Sequence, residues 1–364
     1  MKITIFLGAG ASAAENLPIQ NELFSHYFKY ILPKDKNKKM NRELAKFFKD
    51  LFFIDVINDD VDKINFPTFE EVLGVLDLAE QKRESFKHYK TESYNDSNNT
   101  SISYIRQCLI MLTAYTLNNA SSSSNNYHKM LVSNLVKEGL ICDTNFISAN
   151  YDIHIDNAIG SLYDEKNLPI MLNYGIDFAN FNFNKNSWKK PEGQMVNLYK
   201  IHGSLNWLYC PICNSITLTP YEGGVMRIIE HIKQAECLNC GELTVPIIVP
   251  PTYFKNMSNV FLSTVWNKSE KALRDSDVLI FCGYSFPEAD MHIKYLLKRV
   301  QTSRQKDNLK ILVVNNHDKK RNSVMEKEKN RYERFLGKHV MYTDYSFEDF
   351  AKDPKKIIDL AKKI

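Results

Sequence analysis

Residues 3–13 read ITIFLGAGASA, a short β-branched and apolar run passing straight into Gly8-Ala9-Gly10-Ala11-Ser12-Ala13. Near-continuous apolar character predicts a parallel strand buried on both faces, because a half-exposed strand would alternate. The glycine loop is G-x-G-x-x-A, the tolerated variant of the dinucleotide fingerprint, ahead of a helical pattern. Gly8 permits a tight turn and Gly10 a close backbone approach to a pyrophosphate, with free amides and a positive dipole end offered by the helix. Glycine pairs after strands also serve simple turns, so this loop does not decide the function alone.

Three more runs repeat the pattern: NFISAN at 145–150, DVLIFCGYS at 277–285 and KILVVNN at 310–316. Each is apolar and ends in Gly, Asn or Ser, as parallel strands do when they deliver polar groups at their carboxyl ends. Helical patterns such as HKMLVSNLVKEGL and TVWNKSEKALRDS precede the second and third of the four, supplying crossovers. The expected class is α/β, a Rossmann-like parallel sheet with a site along one edge. About 20 residues after the first strand a dehydrogenase would place a second strand ending in an acid; here ELFSHYFKYIL is helical, which disfavours hydride transfer.

Between 25 and 130 the alternation lapses into amphipathic helices, including RELAKFFKDLFFIDVI and TFEEVLGVLDLAEQK, where Thr68 and Glu71 form a capping box. The polar tracts TESYNDSNNT and NNASSSSNN are expected to be loops. Beyond residue 316 the chain predicts a charged helix, a short strand at HVMYTDY and a closing helix, with the basic run 319–321 on a solvated face. The expected partition is 1–24, first part of the Rossmann-like domain; 25–130, helical insertion; 131–208, second part; 209–243, zinc-binding module; 244–364, third part with C-terminal helices.

The 364 residues are 44% hydrophobic, enough for a real core. Forty-seven basic against 43 acidic side chains leave a net charge of +4, without the concentrated basic surface of nucleic-acid binders, so no direct nucleic-acid partner is expected. The opening residues lack the features of a secretory signal, and no apolar stretch is long enough to span a bilayer; a cytoplasmic protein without membrane contact is expected. Seven cysteines include two C-x-x-C pairs, while Cys108, Cys142 and Cys282 read as core residues.

Cys210-Pro-Ile-Cys213 and Cys237-Leu-Asn-Cys240 have 23 residues between them, close to zinc-ribbon spacing. Four thiolates would close the coordination sphere, making the metal structural; reduced thiols without metal are the alternative. His202, eight residues before Cys210, is then surplus to the metal and available for other chemistry. Strand ends also carry Asn150 and Asp152 in SANYD, Gly283 and Ser285 in GYS, and Asn315 in VVNN. Singly, a histidine after a strand is more often structural and an Asn more often a turn former. Together they gather amide, carboxylate, imidazole and glycine at one sheet edge, where open α/β folds bind ligands.

GAGAS, SANYD, the IHG histidine, the C-x-x-C pairs, GYS and VVNN occur in the order and approximate spacing of the sirtuin (Sir2) family, which the chain resembles over its first 25 residues and most of 130–316. The resemblance implies NAD as substrate and a structural Zn2+. It implies Asn150 at the nicotinamide ribose and His202 as general base, where a positioned base is worth about 10²–10⁴ in rate. By the same carry-over, Ser12 and Asp152 would line the nicotinamide pocket. Gly8, Ala9, Gly10, Gly283, Ser285 and Asn315 would hold the phosphates and the adenosine half.

Departures from the deacylases are as informative. Where those enzymes have FGExLP, this chain has PPTYFK at 250–255; AENLPIQNEL replaces Gly-Ile-Pro and Phe-Arg, and Ala149 stands in place of the usual Gln. These features resemble the Sir2-like branch of bacterial anti-phage defence, which hydrolyses NAD to ADP-ribose and nicotinamide. That resemblance implies an NAD glycohydrolase restrained by homo-oligomerisation or by a separate regulatory protein, of the ATPase or Argonaute type. The alternatives are an NAD-dependent protein deacylase or ADP-ribosyltransferase, and a non-catalytic sensor of NAD or ADP-ribose.

Overall fold

The computed structural model describes residues 1–35, 38–91, 100–120, 126–164, 168–179, 190–219, 236–248, 259–288, 290–304, 309–316 and 322–363. Most of the two polar tracts, PPTYFK at 250–255 and the basic run 319–321 lie outside them. In chain order the strands are β1 (Ile3–Leu7), β2 (Tyr89–Lys90), β3 (Thr100–Ser101), β4 (Thr144–Ser148), β5 (Ile170–Asn173), β6 (Gln194–Lys200), β7 (Gly203–Cys210), β8 (Ser215–Leu218), β9 (Val245–Ile248), β10 (Val278–Cys282), β11 (Lys310–Val314) and β12 (Val340–Thr343).

Seven of them form one sheet in the order β12-β11-β10-β1-β4-β6-β5, every neighbouring pair parallel. β1 is central, and all five of its residues are buried, which is why its sequence lacks alternation. Phe6 lies 5.1 Å from Phe281 and 4.8 Å from Tyr284 between ring centroids, stitching β1 to β10 on one face. Edge strand β5, four residues with alternate burial, is too short to announce itself in sequence.

The central strands end level. Leu7 is in register with Ser148 and Cys282, Ser148 with Lys200, and Cys282 with Val314. One more row of main-chain bonds lies beyond them: Gly283 N donates to Val314 O (3.1 Å), Gly8 N to Cys282 O (2.9 Å), Ala149 N to Leu7 O (3.0 Å) and Ile201 N to Ser148 O (3.1 Å). Loops carrying the candidate residues therefore all leave the sheet at one height.

By internal contacts the chain divides in two, one unit comprising Met1–Asn16, Ser123–Val249 and Asn256–Ile364, the other lying within Leu17–Ser122. The second has its own aromatic-rich core, with Phe24, Phe28, Phe47, Phe48 and Phe69 fully buried. Its helix Phe69–Lys82 begins at the capping box of Thr68 and Glu71, both halves formed. In the first unit, a three-stranded antiparallel sheet, β8-β7-β9, carries the cysteines.

Two expectations need correcting. Cys108 and Cys282 are buried but Cys142 is exposed, because the turn Ile141–Asp143 before β4 points Ile141 inward instead. The closing helix is two, Phe347–Lys352 and Pro354–Leu360; Pro354 has no N–H to continue the first, and Asp353 caps the second by accepting from Lys356 N at 3.0 Å.

Candidate functional site at the carboxyl edge of the sheet

The first loop and the loop after β10 are pressed together. Gly283 has φ +63°, and a Cβ there would lie 2.0 Å from Ala11 N; a Cβ on Gly8 or Gly10 would meet Gly283 O at 2.7 Å or Gly283 Cα at 2.9 Å. These glycines are required by one another's backbones. Gly10 N donates to Gly283 O (2.8 Å) and Ala11 N to Gly8 O (3.0 Å), and the helix Ala9–Ala13 is only five residues long. Two amides expected to be open to an anion are thus already committed within the chain.

β4 stops at Ser148, so Asn150 and Asp152 do not share a strand face. They meet at Ser12 all the same. Asn150 Nδ2 donates to Ser12 Oγ and to Gly8 O, both at 2.9 Å, and Ser12 Oγ donates to Asp152 Oδ2 at 2.7 Å. Both amide hydrogens being engaged, Asn150 is left to present its carbonyl oxygen to a ligand. Burial by itself pushes the Asp152 carboxyl up, but the charges of His154, Lys200 and His128 and the Ser12 hydroxyl outweigh it, and its pKa is lowered.

His202 comes just after β6 and is buried. Its Nδ1 lies 3.2 Å from Ala149 O; a carbonyl only accepts, so Nδ1 carries the proton and the basic lone pair belongs to Nε2. Trp266 Nε1 pins the preceding residue by donating to Ile201 O at 2.8 Å, and Gly203, at φ +79°, turns the chain away into β7. Ala149 thus joins the two loops that carry Asn150 and His202.

Ser285 and Asn315 reach the same edge from β10 and β11. Ser285 O accepts from Arg331 Nη2 (2.8 Å), and Asn315 Nδ2 donates to Glu328 Oε2 (2.7 Å) and Tyr284 O (3.2 Å). Asn315 therefore braces the loop after β10 against Glu328.

Several side chains that motif reading passed over underlie this edge. Glu15 is buried, with Oε1 accepting from His128 N (2.7 Å) and Nδ1 (2.8 Å) and Oε2 in hydrogen-bond contact with His154 Nδ1. Burial raises the Glu15 carboxyl, yet these bonds prevail and hold it well below the usual carboxylate range. Lys200 and Asp156, both wholly buried, pair at 3.1 Å; Tyr174 Oη donates to Asp156 Oδ1 at 2.7 Å, and Lys200 Nζ also contacts Asp152 O. In sequence only a lysine ending an apolar strand hinted at such a buried cation.

The cysteines form a separate device. Sγ atoms of Cys210, Cys213, Cys237 and Cys240 all lie within 4.8 Å of one another, with 3.5 Å between Cys210 and Cys240 and 3.4 Å between Cys213 and Cys237. Zn–S bonds of about 2.3 Å give a tetrahedron with edges of about 3.8 Å, so the four could hold one zinc ion. Opposing the effect of burial, Ser215 Oγ and the amides of Asn239 and Cys240 lower the Cys237 thiol, whereas the neighbouring thiols raise that of Cys240, so the four share their protons unevenly. Strand β7, Gly203–Cys210, lies between His202 and the first thiolate, and its pairing with β9 shifts register between Gly203 and Leu208. No histidine belongs to this cluster among the described residues.

Fold and site together define an open parallel α/β protein with convergent polar groups at the carboxyl ends of its central strands. The family model described as SIR2-like domain matches residues 144–335, just over half of the chain, and the protein belongs to that family. Solved structures similar to it include a Sir2–p53 peptide–NAD+ complex (12% identity, 99% of this chain and 94% of that one, TM-score 0.41) and a Sir2 homologue–NAD complex (13%, 99% and 89%, 0.42). A third is Sir2Tm bound to a propionylated peptide (13%, 99% and 94%, 0.41). No curated protein matches the chain in sequence. Among the described residues no helix is long and apolar enough to cross a membrane.

Proposed function

We propose that the protein is a Sir2-like NAD+ glycohydrolase, acting as an effector of anti-phage defence. The observation that carries this reading is the pairing, through Ala149, of the loop bearing Asn150 with a histidine whose basic nitrogen is Nε2. In the reaction the bond between nicotinamide nitrogen and ribose C1′ breaks, its electron pair leaving with nicotinamide. Water forms the new C1′–O bond and yields its proton to His202 Nε2, giving ADP-ribose, nicotinamide and H+. Asn150, oriented by Ser12 and Gly8, would hold the ribose and the incoming water. Zinc at the four cysteines would close the β8-β7-β9 module and take no part in the chemistry. PPTYFK in place of FGExLP supports hydrolysis over deacylation, since water needs no peptide-pairing strand. Hydrolysis of a central metabolite needs restraint, which we assign to self-assembly or a separate regulatory protein.

The deciding measurement is nicotinamide and ADP-ribose release from NAD by the full-length protein, over a range of protein concentrations, with and without acetylated peptide. Peptide-independent ADP-ribose is expected. Turnover that requires the peptide would make the protein a deacylase, and saturable NAD binding without turnover would make it a sensor.

A further inference from the structure

Behind Asn150 the hydrogen bonds close into a ring. Glu15 N donates to Ser12 O (3.0 Å), Glu15 Oε2 contacts His154 Nδ1, His154 N donates to Asp152 Oδ1 (3.2 Å), and Asp152 Oδ2 accepts from Ser12 Oγ (2.7 Å). Asn150 hangs on this ring at Ser12 Oγ. We propose that the buried Glu15 and the half-buried His154 form an ion pair that positions Asn150 for bond cleavage, acting through Asp152 and Ser12; the proposal rests on the function proposed above.

Hydrogen direction and charge together make the ring work. A Ser hydroxyl has one proton; given to Asp152, it leaves the oxygen to accept from Asn150, which fixes the amide with its oxygen outward. That direction holds while Asp152 is an anion. Around it the buried Lys200–Asp156 pair is neutral as a unit, leaving the Glu15 and Asp152 carboxylates to be balanced, and the groups facing His154 are Glu15, Asp152, Lys200 and the His128 ring, 5.7 Å away. A protonated His154 offsets one of these two charges while touching both carboxylates, and burial of unpaired carboxylates is costlier without it. Burial works against the charged imidazole, but Glu15 and Asp152 outweigh it and raise its pKa. Both oxygens of Glu15 are met by protein donors, Oε1 by His128 and Oε2 by His154, and bound metal per chain tests whether an ion takes their place.

His154 holds its proton to a higher pH than a free imidazole and loses it as pH rises through its elevated pKa, above the ordinary value of about 6.5. Its loss weakens the hold on Asp152, so cleavage should decline on the alkaline side.

The test compares full-length wild type, E15Q and H154Q by three readouts: kcat and KM for NAD against pH, titration of the His154 ring by NMR of 15N-histidine protein, and bound metal per chain. The expected wild-type kcat falls on an alkaline limb whose midpoint matches the ring titration above about 6.5. E15Q should lower both midpoints together, and H154Q should abolish the limb and reduce kcat by about 10²-fold with KM little changed. The proposal is overturned if the wild-type ring titrates at or below 6.5, or if both variants keep the wild-type pH profile. A second metal ion beyond that of the four cysteines, lost in E15Q, would also overturn it. Should wild type cleave no NAD at any pH while the ring midpoint still moves in E15Q, the ion pair stands and the reading of function falls.

Discussion

His202 donates through Nδ1 to the main-chain oxygen of Ala149, so the loop that carries Asn150 also sets the tautomer of the imidazole. Removing the ring leaves that carbonyl short of one bond, while the Tyr151 ring stands off with its centroid 6.4 Å away. H202A is expected to lower the thermal midpoint, since truncating a buried ring leaves a cavity, and, where it stays folded, to lose about 10²–10⁴ in kcat for nicotinamide release. N150A should lose comparable activity. Full turnover in either variant would remove that residue from the chemistry.

Gly283 and Gly139 both have positive φ, but only Gly283 is crowded: its missing Cβ faces Ala11 N at 2.0 Å and Gly10 C at 2.4 Å, whereas Gly139 has nothing within 4 Å. G139A should cost about 1 kcal/mol, the left-handed penalty alone. G283A must also displace the first glycine loop, and should cost several times more and abolish activity. Urea midpoints with a common m-value separate the two; equal midpoints would contradict the close approach.

Lys200 and Asp156 are buried completely, and breaking such a pair strands a charge. K200M should destabilise the first unit by about 3–5 kcal/mol in chemical denaturation. The double variant K200M/D156L should recover part of this, because the stranded carboxylate is gone. A double variant no better than K200M would show that Lys200 matters chiefly through its contact with Asp152 O.

Acid should destabilise the protein in part through the site. The Glu15 and Asp152 carboxyls have folded pKa values below their unfolded ones, so their contribution is fully present above about pH 4.5 and is lost as pH falls through the folded values. His154 has the opposite sign: its contribution is present below about 6.5 and lost as pH rises through its raised value. Thermal midpoints should peak between these limits, and E15Q should flatten both flanks. A wild-type midpoint still rising well beyond neutrality would argue against the assigned signs.

Purified protein is expected to carry one zinc per chain, released with loss of the β8-β7-β9 module when Cys213 is replaced by serine. Cobalt in its place should give a tetrathiolate spectrum, and a spectrum showing nitrogen ligation would return His202 to the metal.

Much of the fold was legible because burial on both faces writes itself as apolar runs: β1, β4, β10 and β11 each did so and each ends in a site loop. The cysteine pairs were legible by spacing. Glu15, His154 and Lys200 were not, since nothing in a linear sequence says that a carboxylate at position 15 meets imidazoles at 128 and 154. The purpose of Gly8 and Gly10 was half legible. Their need for space showed, but what fills it is Gly283, a residue no local pattern could supply.

The level strand ends have a consequence for how the protein is made. Asn150 and Gly8 are 142 positions apart and join by a direct hydrogen bond, while Gly10 is sealed only when Gly283 arrives on β10. Pairings this distant form late, since chain closure must precede any gain from contact. A ribosome-bound chain lacking β10 has no finished edge, so the strand-end loops close on one another only after Gly283 has been made.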